Sequence, residues 1–168
     1  MNRNRRIALC LLWIVLLMAT AALSQSAAGK NPLQGVWKVT EITTTGPNAA
    51  TNKTPQPGFI IFTAGYYSMS TVNTDKPRAD LPTDINTASA AQLRDAWGPF
   101  TGQSGTYEIK GSEVTRHPLA SKTPAVMKSG NFSTDMFKIE GKTLTLVGKA
   151  NQAGPVTNPN TIKLTRVE

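Results

Sequence analysis

Gly58-Phe59-Ile60-Ile61-Phe62-Thr63-Ala64-Gly65-Tyr66-Tyr67-Ser68-Met69 decides the fold class of this chain. An apolar run ends near Phe62. Three small or polar residues follow, and a second run continues from Tyr66 to Val72. Run, short turn and run spell a β-hairpin, with Gly65 placed where a positive φ costs little. Outward in both directions the same grammar repeats. Strands are expected at 36–43, 58–63, 66–72, 105–110, 113–119, 130–139, 142–147 and 160–167. Val36-Trp37-Lys38-Val39-Thr40-Glu41-Ile42-Thr43 is rich in β-branched residues, as the first of them should be. Eight short strands in consecutive hairpins predict an all-β fold, an eight-stranded antiparallel up-and-down barrel whose interior is large enough for a ligand. An open sandwich is the alternative arrangement of the same strands.

One stretch breaks the rhythm. Pro77 and Pro82 bracket a polar segment within residues 73–104, and residues 87–97 read as one short helix, with Thr87 or Ser89 as its cap. Gly98-Pro99 stops it. A long excursion inside a small β domain is often functional. Trp97 and Phe100, near its end, are placed to tuck over the barrel mouth; anchoring of the loop to the wall is the plainer alternative.

The N-terminus carries an address. Arg3, Arg5 and Arg6 precede an almost wholly apolar stretch from Ile7 to Leu23, and Ala22 and Ser24 offer small residues before Gln25. Residues 1–24 therefore read as a secretory signal peptide and 25–31 as a polar leader, ahead of a barrel domain over 32–168. A transmembrane anchor is the alternative, although the run is at the short limit for crossing a bilayer. Cys10 is the sole cysteine and lies inside the apolar run, so the processed chain of about 144 residues folds without disulfides. Localisation is expected to be exported, periplasmic or extracellular, with no stable membrane anchor after cleavage. Loss of three arginines takes the formal charge from +8 to +5. The lysines are scattered, with no basic run or helix, which argues for a solvated surface and against nucleic acid.

The order Pro32-Leu33-Gln34-Gly35-Val36-Trp37-Lys38-Val39, the hairpin at 58–69, Gly105-Thr106-Tyr107-Glu108-Ile109, Val114-Thr115-Arg116-His117 and Gly141-Lys142-Thr143-Leu144-Thr145-Leu146 resembles the lipocalin-like domains of bacterial secreted proteins. The resemblance covers roughly residues 32–167. It implies a calycin-type barrel in which Gly35 and Trp37 close the floor and Arg166 stacks on the tryptophan. Physical reasoning runs parallel. Ile162, Leu164 and Arg166 share one strand face, and an inward arginine needs a partner that a stacked indole and backbone carbonyls provide. Otherwise Arg166 frays into solvent at the terminus. The chain departs from the family in lacking a disulfide and a helix between its last two strands, and in carrying the 73–104 excursion.

Candidate chemistry is sparse. If Trp37 points inward, period two brings Glu41 inward too, as a polar anchor in an apolar cavity; a bulge would turn it out. His117 is the sole histidine, and with no partner group set by the pattern it reads as a rim or surface residue or, less simply, a general base. No metal site and no cofactor are expected. Tyr67 and Met69 share a face, as do Tyr107 and Ile109, and these four are expected on the pocket wall with Glu41, Trp97 and Phe100. The expected function is binding of a small apolar or amphipathic molecule in the interior. The alternatives are a small barrel enzyme of isomerase or cyclase type, working through Glu41 or His117, and a structural envelope protein with a filled barrel. Oligomeric state and ligand identity are not legible.

Overall fold

The β-branched and aromatic runs pair as their alternation requires. The computed structural model describes residues 31–168. The expected signal, Cys10 and all but the last residue of the leader lie outside the described residues. Ten strands and a helix follow: β1 (Gly35–Thr44), β2 (Ala50–Asn52), β3 (Gln56–Phe62), β4 (Tyr66–Val72), α1 (Ala90–Trp97), β5 (Phe100–Lys110), β6 (Glu113–Ser121), β7 (Ser133–Glu140), β8 (Thr143–Asn151), β9 (Gly154–Pro155) and β10 (Thr161–Arg166). Eight of the strands form a ring in the order β10-β1-β3-β4-β5-β6-β7-β8, every pair antiparallel. It closes where Thr161–Thr165 of β10 pair with Val147–Thr143 of β8. Closure leaves no free sheet edge in the ring. The two short extra strands, β2 and β9, pair with β1 and β8. Leu33–Glu168 is one compact unit.

The connections sort by length. At one end β3–β4, β5–β6 and β7–β8 turn in two or three residues. Gly111 and Gly141 supply φ of 61° and 59° there, which side chains rarely adopt. Gly65 does not need a positive φ. Its turn is held instead by Thr63, whose N–H donates to the Tyr66 carbonyl (2.8 Å) and whose hydroxyl accepts from the Tyr66 N–H (3.1 Å). At the opposite end run the four long connections, residues 45–55, 73–99, 122–132 and 152–160. Loop chemistry is therefore concentrated at that end.

Two boundaries differ from expectation. β5 begins at Phe100, five residues early, because Phe100–Thr106 pair along the whole of β4. Thr101-Gly102-Gln103-Ser104-Gly105 has the composition of a loop, and the neighbouring strand makes it sheet. The excursion shrinks to 73–99. The helix starts at Ala90, where Ser89 caps it. The Ser89 hydroxyl accepts from the Gln92 N–H, and the Gln92 side chain accepts from the Ser89 N–H, a reciprocal capping box.

The inner faces pack an apolar core. Trp37, Phe62, Leu33, Ile60, Leu144 and Leu164 are almost completely shielded from solvent. Tyr107, Ile109, Phe137, Ile139 and Ile162 pack against them from partly buried positions. The β1 register carries a bulge between Val39 and Glu41 on the β10 side. Beyond it the buried residue is Ile42, not Glu41. Phase is conserved on each side of a bulge but not across it.

Candidate functional site

The short-turn end is sealed by the first and last strands of the barrel. Trp37 and Arg166 are cross-strand partners, and the Arg166 guanidinium carbon lies 4.0 Å from the centre of the indole. Arg166 Nη1 donates to the Gln34 carbonyl at 2.6 Å, and Trp37 Nε1 donates to the Leu33 carbonyl at 2.6 Å. Gly35 is the third member. Its φ is +134°, and a Cβ there would come within 2.6 Å of Arg166 Nη1. Glycine is required so that the arginine can lie across the floor.

Higher in the barrel the interior turns polar. On β6 the inward residues are Val114, Arg116 and Pro118; on β7 they include Asp135 beside Phe137. Arg116 and Asp135 form an ion pair of 2.5 Å, and both are buried. The Tyr67 ring lies 5.6 Å from the guanidinium. Met69 Sδ accepts from Arg116 Nη1 (2.9 Å) and from Gln103 Nε2 (3.0 Å). Arg116 Nε, the Tyr67 hydroxyl and the Ser133 hydroxyl are buried without a partner. Burial pushes the Tyr67 phenol above its ordinary value; Arg116 pulls it down and Asp135 pushes it up, and burial dominates.

Above this group lies a cavity of about 780 Å³ at the long-loop end. Its inner surface includes Gln103, Arg116 and Ser133, and its sides include Phe100, Pro118, Val126 and Phe132. Lys122 and Lys128 stand on its border, and no carboxylate lines it. Lys122 Nζ donates to the carbonyls of Trp97 (2.5 Å) and Phe100 (2.8 Å), tying the end of the excursion to the start of the 122–132 connection.

The expected wall residues scatter against this geometry. Of Glu41, Tyr67, Met69, Tyr107, Ile109, Trp97 and Phe100, the cavity is lined by Phe100 alone. Tyr67 and Met69 belong to the packed core below it, where Met69 supports Arg116. Tyr107 and Ile109 pack nearer the short-turn end. The Tyr107 hydroxyl donates to the Thr63 carbonyl (2.6 Å), and its ring meets the edge of Phe62 at 5.0 Å. Glu41 is carried out by the bulge and pairs with Lys163 at 2.8 Å. Trp97 is half exposed and stacks edge-on against Phe100 at 6.2 Å. With Arg78 and Leu81 these two rings line a separate hollow of about 250 Å³. Of the excursion only Gly98 borders the cavity, next to Phe100 of β5, and the 122–132 connection supplies most of the loop wall. His117 points outward, 3.5 Å from Glu108. Among the described residues no group of three or more His, Cys, Asp or Glu could hold a metal ion.

Arg116, Asp135, Gln103 and Ser133 were not legible as a site. A signal did exist. Arg116 alternates with Val114 and Pro118, and Asp135 with Phe137 and Ile139, so opposite charges stand on two apolar faces. Pairing them needed the β6–β7 register, which sets Arg116 opposite Ser133 and Val114 opposite Asp135.

No protein-family model matches the chain, and no curated protein matches it. Among solved structures, the chain is similar to an uncharacterized protein from Bacteroides eggerthii at 10% identity, covering 79% of this chain and 98% of that one with a TM-score of 0.42.

Proposed function

We propose that this protein is an exported, lipocalin-like barrel that binds a small amphipathic molecule in the cavity at its long-loop end. The observation that carries the reading is the cavity itself. A volume of about 780 Å³ lies within the range of small-molecule sites. Its wall combines apolar side chains, Phe100, Pro118, Val126 and Phe132, with polar groups that suit an amphipathic ligand. The filled lower half stiffens the barrel, and the loop end is where chain length is available for recognition. An enzymatic reading through Glu41 or His117 has no support, because neither side chain lines the cavity.

The test is a titration of the processed chain with Nile red, a neutral solvatochromic probe, together with native mass spectrometry of the purified protein. Saturable one-site binding is expected. Phe132→Ser should weaken it by about tenfold, the scale of one aromatic contact of ~1.4 kcal/mol, without lowering the melting temperature by more than a few degrees. A chain that gives neither probe saturation nor a bound small molecule would refute the proposal.

A further inference from the structure

The cavity floor has an imbalance between donors and acceptors. An arginine side chain carries five N–H groups. In Arg116 two of them have partners, and one of those partners is the Met69 thioether. Gln103 spends an amide N–H on the same sulfur. A thioether is a weak acceptor. Two donors sharing one sulfur means that oxygen acceptors are in short supply at this point. Ser133, opposite Arg116 in register, adds a buried hydroxyl with no partner. The charge, by contrast, is balanced, because Asp135 neutralises Arg116 at 2.5 Å.

We propose that this floor selects a neutral hydrogen-bond acceptor, the carbonyl oxygen of an ester, amide or ketone, at the inner end of the bound amphiphile. The inference rests on the binding reading above and names the chemistry of its head group. Gln103, Arg116 and Ser133 are the specificity-determining residues, since all three line the cavity. A carbonyl supplies what the floor lacks and adds no charge to a region already neutral. A carboxylate would have to share the single Arg116 charge with Asp135, which already neutralises it at 2.5 Å, and would leave the region with a net negative charge. An ammonium head group would bring more donors to a site that already has too many. Lys122 Nζ is held by the Trp97 and Phe100 carbonyls, and Lys128 is exposed, where solvent screening weakens its pull on an anion.

Displacement of Nile red by chain-matched alkyl amphiphiles tests this. The set is a methyl ester, an N-methyl amide, a carboxylate well above its own pKa, and an ammonium. The ester and amide should bind the wild-type chain about tenfold more tightly than the ionised members, the size of one charge-assisted hydrogen bond. Asp135→Asn keeps the shape and removes the neutralising charge. It should invert the order, making the carboxylate the preferred ligand. Gln103→Leu removes one donor with the ion pair intact and should cut the neutral preference severalfold; it decides the matter if Asp135→Asn does not fold. Equal binding of all four head groups, as water-filled donors would give, overturns the proposal while leaving the cavity a binding site. A carboxylate preference in the wild-type chain overturns it too. If Nile red itself fails to bind, the binding reading falls and the head-group inference falls with it.

Discussion

Gly35, at φ +134° beneath the Arg166 guanidinium, shows how few atoms hold the floor. Arg166 lies on the indole face at 4.0 Å and donates to the Gln34 carbonyl at 2.6 Å. A cation over an aromatic ring and a charge-assisted hydrogen bond together contribute about 2 kcal/mol. Arg166→Ala should lower the melting temperature by several degrees in calorimetry, and Gly35→Ala by at least as much, since it adds backbone strain to the lost stacking. An unchanged midpoint in both would mean that the seal contributes nothing. Tyr67 allows a test with a defined sign. Its phenol is held protonated past the ordinary value of 10.0. The unfolded chain therefore releases this proton first. The stability it contributes is complete below about pH 10 and is lost as pH rises through the folded value. Tyr67→Phe keeps the ring and removes a hydroxyl without a partner. Urea titrations should show equal or greater stability at neutral pH and a smaller loss in alkali; a large loss at neutral pH would contradict the unpartnered hydroxyl.

At the scale of elements, the bulges decide which residues face the cavity. β5 and β6 shift register between Ser104 and Gly105. A Cβ on Gly105 would collide with the His117 carbonyl and lie 2.9 Å from the Leu119 N–H. The bulge therefore depends on glycine at this position, and with it the placement of Gln103 and Pro118 at the cavity. Gly105→Ala should cost about 1–3 kcal/mol, as overpacking against rigid backbone does. It should also weaken Nile red binding, which Arg166→Ala, at the far end, should leave unchanged. The two variants can be compared at matched stability. Equal loss of binding in both would show that the effect follows stability alone. Helix α1 behaves oppositely to β5. Its capping box is written within four residues and forms where local chemistry directs it, whereas the first five residues of β5 become sheet only through Tyr66–Val72.

Across the whole molecule, up-and-down closure assigns the two ends different work. Short turns and the two termini of the domain meet at the packed end; the long connections gather at the other, where the cavity opens. Such a division suits the binding role proposed above, and the expected export has its own test. Full-length chain expressed in a bacterial host should appear in the periplasmic fraction with Gln25 as its first residue by N-terminal sequencing. Recovery with residues 1–24 intact in the membrane fraction would count against the signal reading. Eight strands, their hairpin order, the helix and the Trp37–Arg166 contact were all legible in the chain, because alternation, turn residues and caps act over a few neighbours. The wall of the cavity was not. Period two predicted an inward Glu41, and one bulge at Thr40 turned it toward Lys163. It also predicted Tyr67 and Met69 inward, and they are, but as core beneath the cavity. By itself the sequence determined the eight strands of the ring, apart from the first five residues of β5, and the order in which they pair. Only the tertiary structure decided where the hollow lies and that Arg116 meets Asp135 beneath it. Strand register across a closed ring depends on bulges and on neighbours distant in sequence, and no local pattern encodes them.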